Sequence, residues 1–168
     1  MAGCSGTDPG VARPAPDQLI LKEAVTVSTR DNKAIAHRFA QAWAAGGLHI
    51  VDELAAPDLI VSYPIPSEPI RGAEAFKAFL TELIAGLPDA TVTVDDTIAE
   101  DDKVVCRWTM RGTHEGPLFG FPRTGKPVHI SGFTLYRIAG GKVVEETGIG
   151  TTLSLMQQLG AVIAPASE

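Results

Sequence analysis

Residues 127–149 read PVHISGFTLYRIAGGKVVEETGI, two strand-like runs on either side of Gly140-Gly141. Paired glycines supply the positive φ that a tight, primed hairpin turn requires. With a two-residue loop, Ala139 faces Lys142 and Ile138 faces Val143. By the same subtraction Tyr136 faces Glu145, and Thr134 faces Thr147. Alternation then puts Gly132, Thr134, Tyr136, Glu145 and Thr147 on one face. Phe133, Leu135, Arg137 and Val144 take the other, and Glu146 is expected to point to solvent. The first face is apolar near the turn (Ile138, Val143) and small or polar in its middle. That pattern suits a pocket wall, and equally a mildly mixed solvent face.

More strand lies upstream. Lys103 to Thr113 alternates cleanly: Val104, Cys106, Trp108 and Met110 face one way, Val105, Arg107, Thr109 and Arg111 the other. Asp101-Asp102 joins it to a strand over Ala90 to Ala99, and a Gly/Pro-rich loop spans about 114–126. Before these come helices. Ile35, Phe39 and Trp43 stripe a helix from about Ser28–Asp31 to the Gly46-Gly47 stop. A short helix, His49 to Ala55, breaks at Pro57-Asp58, and a strand covers Leu59 to Tyr63. Gly72 opens a third helix bearing Phe76, Phe79, Leu80, Leu83 and Ile84, which Pro88 stops. Thr151 to Leu159 makes a last helical turn or two before Gly160. Helices followed by a run of antiparallel strands predict an α+β class, the helices covering one sheet face.

Bulk properties narrow the partners. The chain has 168 residues, 45% hydrophobic and 20% charged, which suits one domain with a real core. A net charge of -6 disfavours nucleic acid, which needs clustered Lys and Arg. No apolar run is long enough to span a membrane. The cysteines, Cys4 and Cys106, read as free thiols of a reducing cytoplasm. Ala2-Gly3-Cys4-Ser5 is similar to the end of a lipoprotein signal, with only three residues ahead of the Cys. Four scattered histidines form no metal-ligand pattern, and no Gly-rich phosphate loop or G-x-S-x-G is present.

Several segments, in order, resemble one family. Arg107 to Gly116 (RWTMRGTHEG) is similar to the R-W-x-x-R-G-T-H-x-G strand of SnoaL-like polyketide cyclases. Leu118 to Lys126 (LFGFPRTGK) resembles their following loop. Ser131 to Ile138 and Gly141 to Glu145 resemble x-G-x-x-x-Y/F-R-x-x-x-G-K-I-V-E, and Leu155 to Gly160 the closing helix. Gly72 to Phe76 resembles the opening of the family's third helix. The resemblance implies a cone of nuclear-transport-factor type, with a curved mixed or antiparallel sheet and three helices around a pocket. The domain would span 28–161, with flexible tails at 1–27 and 162–168. It further implies homodimers, and a cofactor-free aldol ring closure in which a carboxylate takes a C–H proton and polar groups hold the enolate oxygen. Relatives place that acid at the position of Thr134 here, and a Trp at that of Thr147.

With a threonine at the acid's position, His114 and Glu145 become the expected proton carriers. Each has a plainer reading, His114 as a turn residue bonding backbone and Glu145 as an exposed partner in an ion pair. Trp43, Tyr63, Trp108, Met110, Phe119, Phe121, Thr134, Tyr136 and Thr147 are expected to meet a small apolar carbonyl ligand, though Trp43, Trp108 and Met110 suit a core as well. Phe119 and Phe121 suit a lid or a dimer contact. The expected functions are therefore a cyclase-like enzyme working by proton transfer, or a non-catalytic binder on the same scaffold. A hydrolase ranks below both, since the last two strands carry no Asp.

Overall fold

Alternating residues build most of the molecule. In the computed structural model, which describes residues 29–162, four long strands form its backbone. The expected tails, with Cys4, lie outside the described residues but for Val162. The strands are β3 (Thr91–Glu100), β4 (Lys103–Thr113), β5 (Pro127–Ala139) and β6 (Lys142–Gly150). β1 (Ala55–Ser62) and a two-residue β2 (Ile70–Arg71) complete a curved, open sheet of order β2-β1-β6-β5-β4-β3. Every neighbouring pair is antiparallel except β1 and β6. The sheet is therefore mixed.

Helix α1 is described over 29–40 and tightens into a 3-10 turn at Gln41–Trp43, earlier than the expected stop at Gly46-Gly47. α2 (His49–Leu54), α3 (Ala73–Gly86) and α4 (Thr152–Leu159) follow. α2 ends at Leu54, ahead of Pro57, and Pro57 itself lies within β1, which starts earlier than the expected Leu59 and whose register against β6 shifts between Ala55 and Ile60. No helix among the described residues is long and apolar enough to cross a membrane.

The inward face of the sheet buries two clusters. One joins Phe39, Val51, Leu59, Phe76 and Leu80 to Val104, Cys106, Tyr136 and Val143. The other joins Leu83, Leu87, Leu155 and Leu159 to Met110, Val128 and Ile130. Trp43 and Phe79 touch both clusters. Each fully buried large apolar side chain is worth about 1.5–3 kcal/mol, so these clusters hold the helices on the sheet.

The last hairpin departs from its expected register. Gly140 (φ 56°) and Gly141 (φ 75°) form the turn, and Ile138 does face Val143. The register then slips by one, so that Arg137 faces Glu145, Tyr136 faces Glu146 and Thr134 faces Gly148. Val144 is the extra residue, and such a bulge flips every side chain beyond it to the opposite face. Glu146 is buried on the cavity side, correcting its expected exposure. Glu145 moves to the outer face, where it is half-exposed and pairs with Arg137 at 3.3 Å. Thr147 is also exposed, opposite Leu135. Neither residue can join the inner wall.

Candidate functional site

A cavity opens where the two apolar clusters meet, and its wall is mostly aromatic and aliphatic. Of the residues expected there, Trp43, Tyr63, Trp108, Met110, Phe119, Thr134 and Tyr136 line it. Phe79, Leu83, Ile130 and Leu155 complete its apolar sides, and no charged side chain is among the lining residues. Phe119 stands at φ 50°, where a side chain costs about 1–2 kcal/mol, at the tip of a turn closed by reciprocal bonds between Leu118 and Phe121. That turn carries its half-exposed ring to the cavity. Phe121 packs instead against the second apolar cluster and does not line the cavity.

Sequence spacing explains the polar end. Trp108 and Thr134 are inward residues of β4 and β5, two steps out of direct register. Trp108 Nε1 donates to Thr134 Oγ1 at 2.8 Å. Tyr63, just past β1, brings its hydroxyl to 2.8 Å from the same oxygen. The Tyr63 hydroxyl also donates to Glu146 Oε1 at 2.9 Å, and Trp43 Nε1 donates to that atom at 3.0 Å. Glycines make the room. A Cβ on Gly148 would collide with the Tyr63 ring, and one on Gly132 with Trp108. Trp43 and Tyr63 also pack ring against ring, with centroids 5.1 Å apart.

Glu146 therefore lies one hydroxyl behind the cavity. Burial pushes its carboxyl from the ordinary 4.5 to about 7, against the opposing pull of the bonds from Tyr63 and Trp43. Its Oε2 has no hydrogen-bond partner among the described residues. Burial, and the neighbouring Glu146 after it, hold the Tyr63 and Tyr136 hydroxyls well above the usual tyrosine range, so both stay neutral.

His114 is fully buried but does not line the cavity. Its Nδ1 lies 3.0 Å from Thr124 Oγ1, and its backbone bonds Lys126 and Gly125. Neither proton carrier expected from sequence lines the cavity; the carboxyl bonded to its wall belongs to Glu146, a residue expected in solvent. One signal for the correct register was legible. A strict hairpin sets Arg137 against Val144, whereas the bulge sets it against Glu145, an opposite-charge pair that favours a sheet.

A family model for SnoaL-like polyketide cyclases matches residues 33–159. Among solved structures, a candidate SnoaL-like polyketide cyclase from Jannaschia sp. CCS1 is 27% identical with a TM-score of 0.74, covering 81% of this chain and 96% of its own. IdmH, a candidate polyketide cyclase from Streptomyces antibioticus, is 28% identical with a TM-score of 0.67, covering 77% and 99%. A Catenulispora acidiphila protein of ketosteroid isomerase-like fold, 19% identical with a TM-score of 0.65 over 78% of this chain and 97% of its own, shares the fold. No curated protein matches the chain.

Proposed function

The chain belongs to the SnoaL-like polyketide cyclase family, and from that premise we propose that it closes a ring in a neutral, apolar carbonyl compound by acid/base proton transfer, without a cofactor. The observation that carries this is an uncharged cavity ending on Tyr63, Thr134 and Trp108, with a carboxyl poised near neutrality behind them. Such a wall excludes water and meets a carbonyl oxygen with oriented polar groups. A group titrating near 7 exchanges protons efficiently at neutral pH. Glu146 takes over the role expected of Glu145, and His114 serves the loop. The test is incubation with neutral poly-β-keto methyl esters, read by mass spectrometry. Ring closure gives a product of equal mass, or one water lighter, and Glu146→Gln suppresses it.

A second reading, a non-catalytic binder, is favoured by Thr134 standing where relatives carry their acid. Esters that bind and are recovered unchanged support it. We further propose that two copies pair through the outer sheet face, where Phe133 and Ile149 are cross-strand partners and both exposed. Light scattering reports this: the protein should run as a dimer, and Phe133→Lys with Ile149→Lys as a monomer.

A further inference from the structure

We infer that Thr134 and Tyr63 form a two-hydroxyl relay between Glu146 and the oxygen of a neutral ligand, a ketone or its enol, seated at the cavity's polar end. The inference rests on the proposal that the cavity takes a neutral carbonyl compound, and it adds which atoms meet that oxygen and what sets their polarity.

Counting donors leads there. An indole N–H only donates, a hydroxyl donates once and accepts twice, and an ionised carboxylate only accepts. Trp108 donates to Thr134 at one end of the chain, and Trp43 donates to Glu146 at the other. Those two bonds cannot reverse. The hydroxyl protons of Thr134 and Tyr63 between them can.

With Glu146 ionised, Tyr63 donates to Oε1 and Thr134 donates to Tyr63. Thr134 then offers the cavity only a lone pair, and a ligand oxygen there must donate, as an enol or phenol does. With Glu146 neutral and its proton on Oε1, every bond between the two tryptophans runs the other way. Glu146 donates to Tyr63, Tyr63 donates to Thr134, and the Thr134 proton is left for the cavity. A ketone then fits, whereas an enol can accept that proton only with its own O–H turned away from Thr134 and unpaired there. In both states one hydroxyl valence of Thr134 is left over, for a ligand oxygen or, without one, for the Tyr136 hydroxyl beside it, and Thr134 is almost wholly buried. The unpartnered Oε2 is then the carbonyl oxygen of a neutral acid, a smaller penalty than half of a buried carboxylate.

The relay moves protons only between oxygens. From neutral Glu146 and a ligand enolate, the Oε1 proton passes to Tyr63, the Tyr63 proton to Thr134, and the Thr134 proton to the ligand. One O–H bond is lost on Glu146 and one forms on the ligand. The negative charge passes from enolate to carboxylate, and no heavy atom moves. Glu146 acts through its neighbours, so it is a positioning residue whose signature is a pH profile.

The surroundings leave Glu146 in control of that profile. The titratable groups that couple to it are Tyr63 after β1, Tyr136 on β5 and Cys106 on β4, and burial raises all three. The turn after α1 contributes Trp43, while α1 and α3 bring Phe39 and Phe76 to the same cluster. No Lys, Arg or His is among the groups that shift Glu146.

Two neutral bicyclic probes separate the states: 2-naphthol, which donates, and 2-acetonaphthone, which only accepts. Their affinities are measured by calorimetry between about pH 5.5 and 8.5, either side of the Glu146 transition near 7. As pH rises, 2-naphthol should bind roughly tenfold tighter and 2-acetonaphthone roughly tenfold weaker. Glu146→Gln should flatten both profiles, and Tyr63→Phe should flatten them without touching the carboxyl. Slopes of the same sign, flat profiles in the wild type, no binding of either probe, or opposite slopes that survive in both variants would each overturn the relay. Neither probe can cyclise. Opposite slopes without ring closure of the keto esters would keep the relay and remove the cyclase reading, and the converse result would do the reverse.

Discussion

His114 and Glu146 are each fully buried, and each has one polar atom without a partner among the described residues, Nε2 in the first and Oε2 in the second. Their settings differ. His114 sits in the β4–β5 loop, bonded to Thr124 and, through its backbone, to Lys126 and Gly125. The next two residues donate to the Gly86 carbonyl at the end of α3. His114 thus ties the two ends of its loop together, beside the residues that fasten the loop to α3. Glu146 sits mid-strand and heads a chain of hydroxyls that ends at the cavity. Burial alone does not mark a functional group. What separates the two is a continuous hydrogen-bond path to a space where a ligand fits.

The sharpest way to break this contrast is activity. Glu146→Gln should cost about 100-fold or more in kcat, the scale of one acid/base group, whereas His114→Ala should leave kcat within a few-fold. Equal losses in steady-state assays would erase the distinction.

Stability against pH comes next. Glu146 has a folded pKa raised above its unfolded one, so between 4.5 and about 7 the native state binds more protons. The stability tied to its neutral form is full below 4.5 and gone above 7. Relative to Glu146→Gln, the wild type should therefore lose about 3 kcal/mol across that window, as read by urea unfolding.

Gly148→Ala tests the path rather than its end. The new methyl displaces the Tyr63 ring, which should cost about 1–3 kcal/mol and flatten the pH profile of activity while Glu146 remains in place. The smallest effect falls on the outer face. Glu145→Gln removes a half-exposed ion pair with Arg137, which solvent screens, so stability should barely change and turnover should stay as it is.

Much of the fold was legible because period-2 alternation is a strong signal. β4 lies where the pattern put it, and β5 and β6 each run one residue longer than expected. β2 is too short to carry a period, and α1 gives way to the 3-10 turn at Gln41–Trp43, with Ala44 already extended, ahead of the glycines that mark a stop in the sequence. Among the lining residues, Trp108, Met110, Thr134 and Tyr136 were legible from strand parity, which needs no exact register, whereas Tyr63 rested on the family resemblance and Phe119 on its place in an aromatic loop. The buried carboxyl of Glu146 was not legible. A one-residue bulge at Val144 exchanges the faces of Glu145 and Glu146, two chemically identical neighbours, and hairpin arithmetic assumes that no residue is extra. Phe121 was misplaced for a related reason: the Leu118–Phe121 turn sends Phe119 and Phe121 to different surroundings.

The most direct test is an infrared titration of the carboxyl stretch, with Glu146→Gln and Glu145→Gln to assign the bands. One protonated carboxyl band should persist to near pH 7, vanish in Glu146→Gln and survive in Glu145→Gln. A band that titrates near 4.5, or one that disappears with Glu145→Gln instead, would contradict the placement of Glu146 at the cavity's polar end.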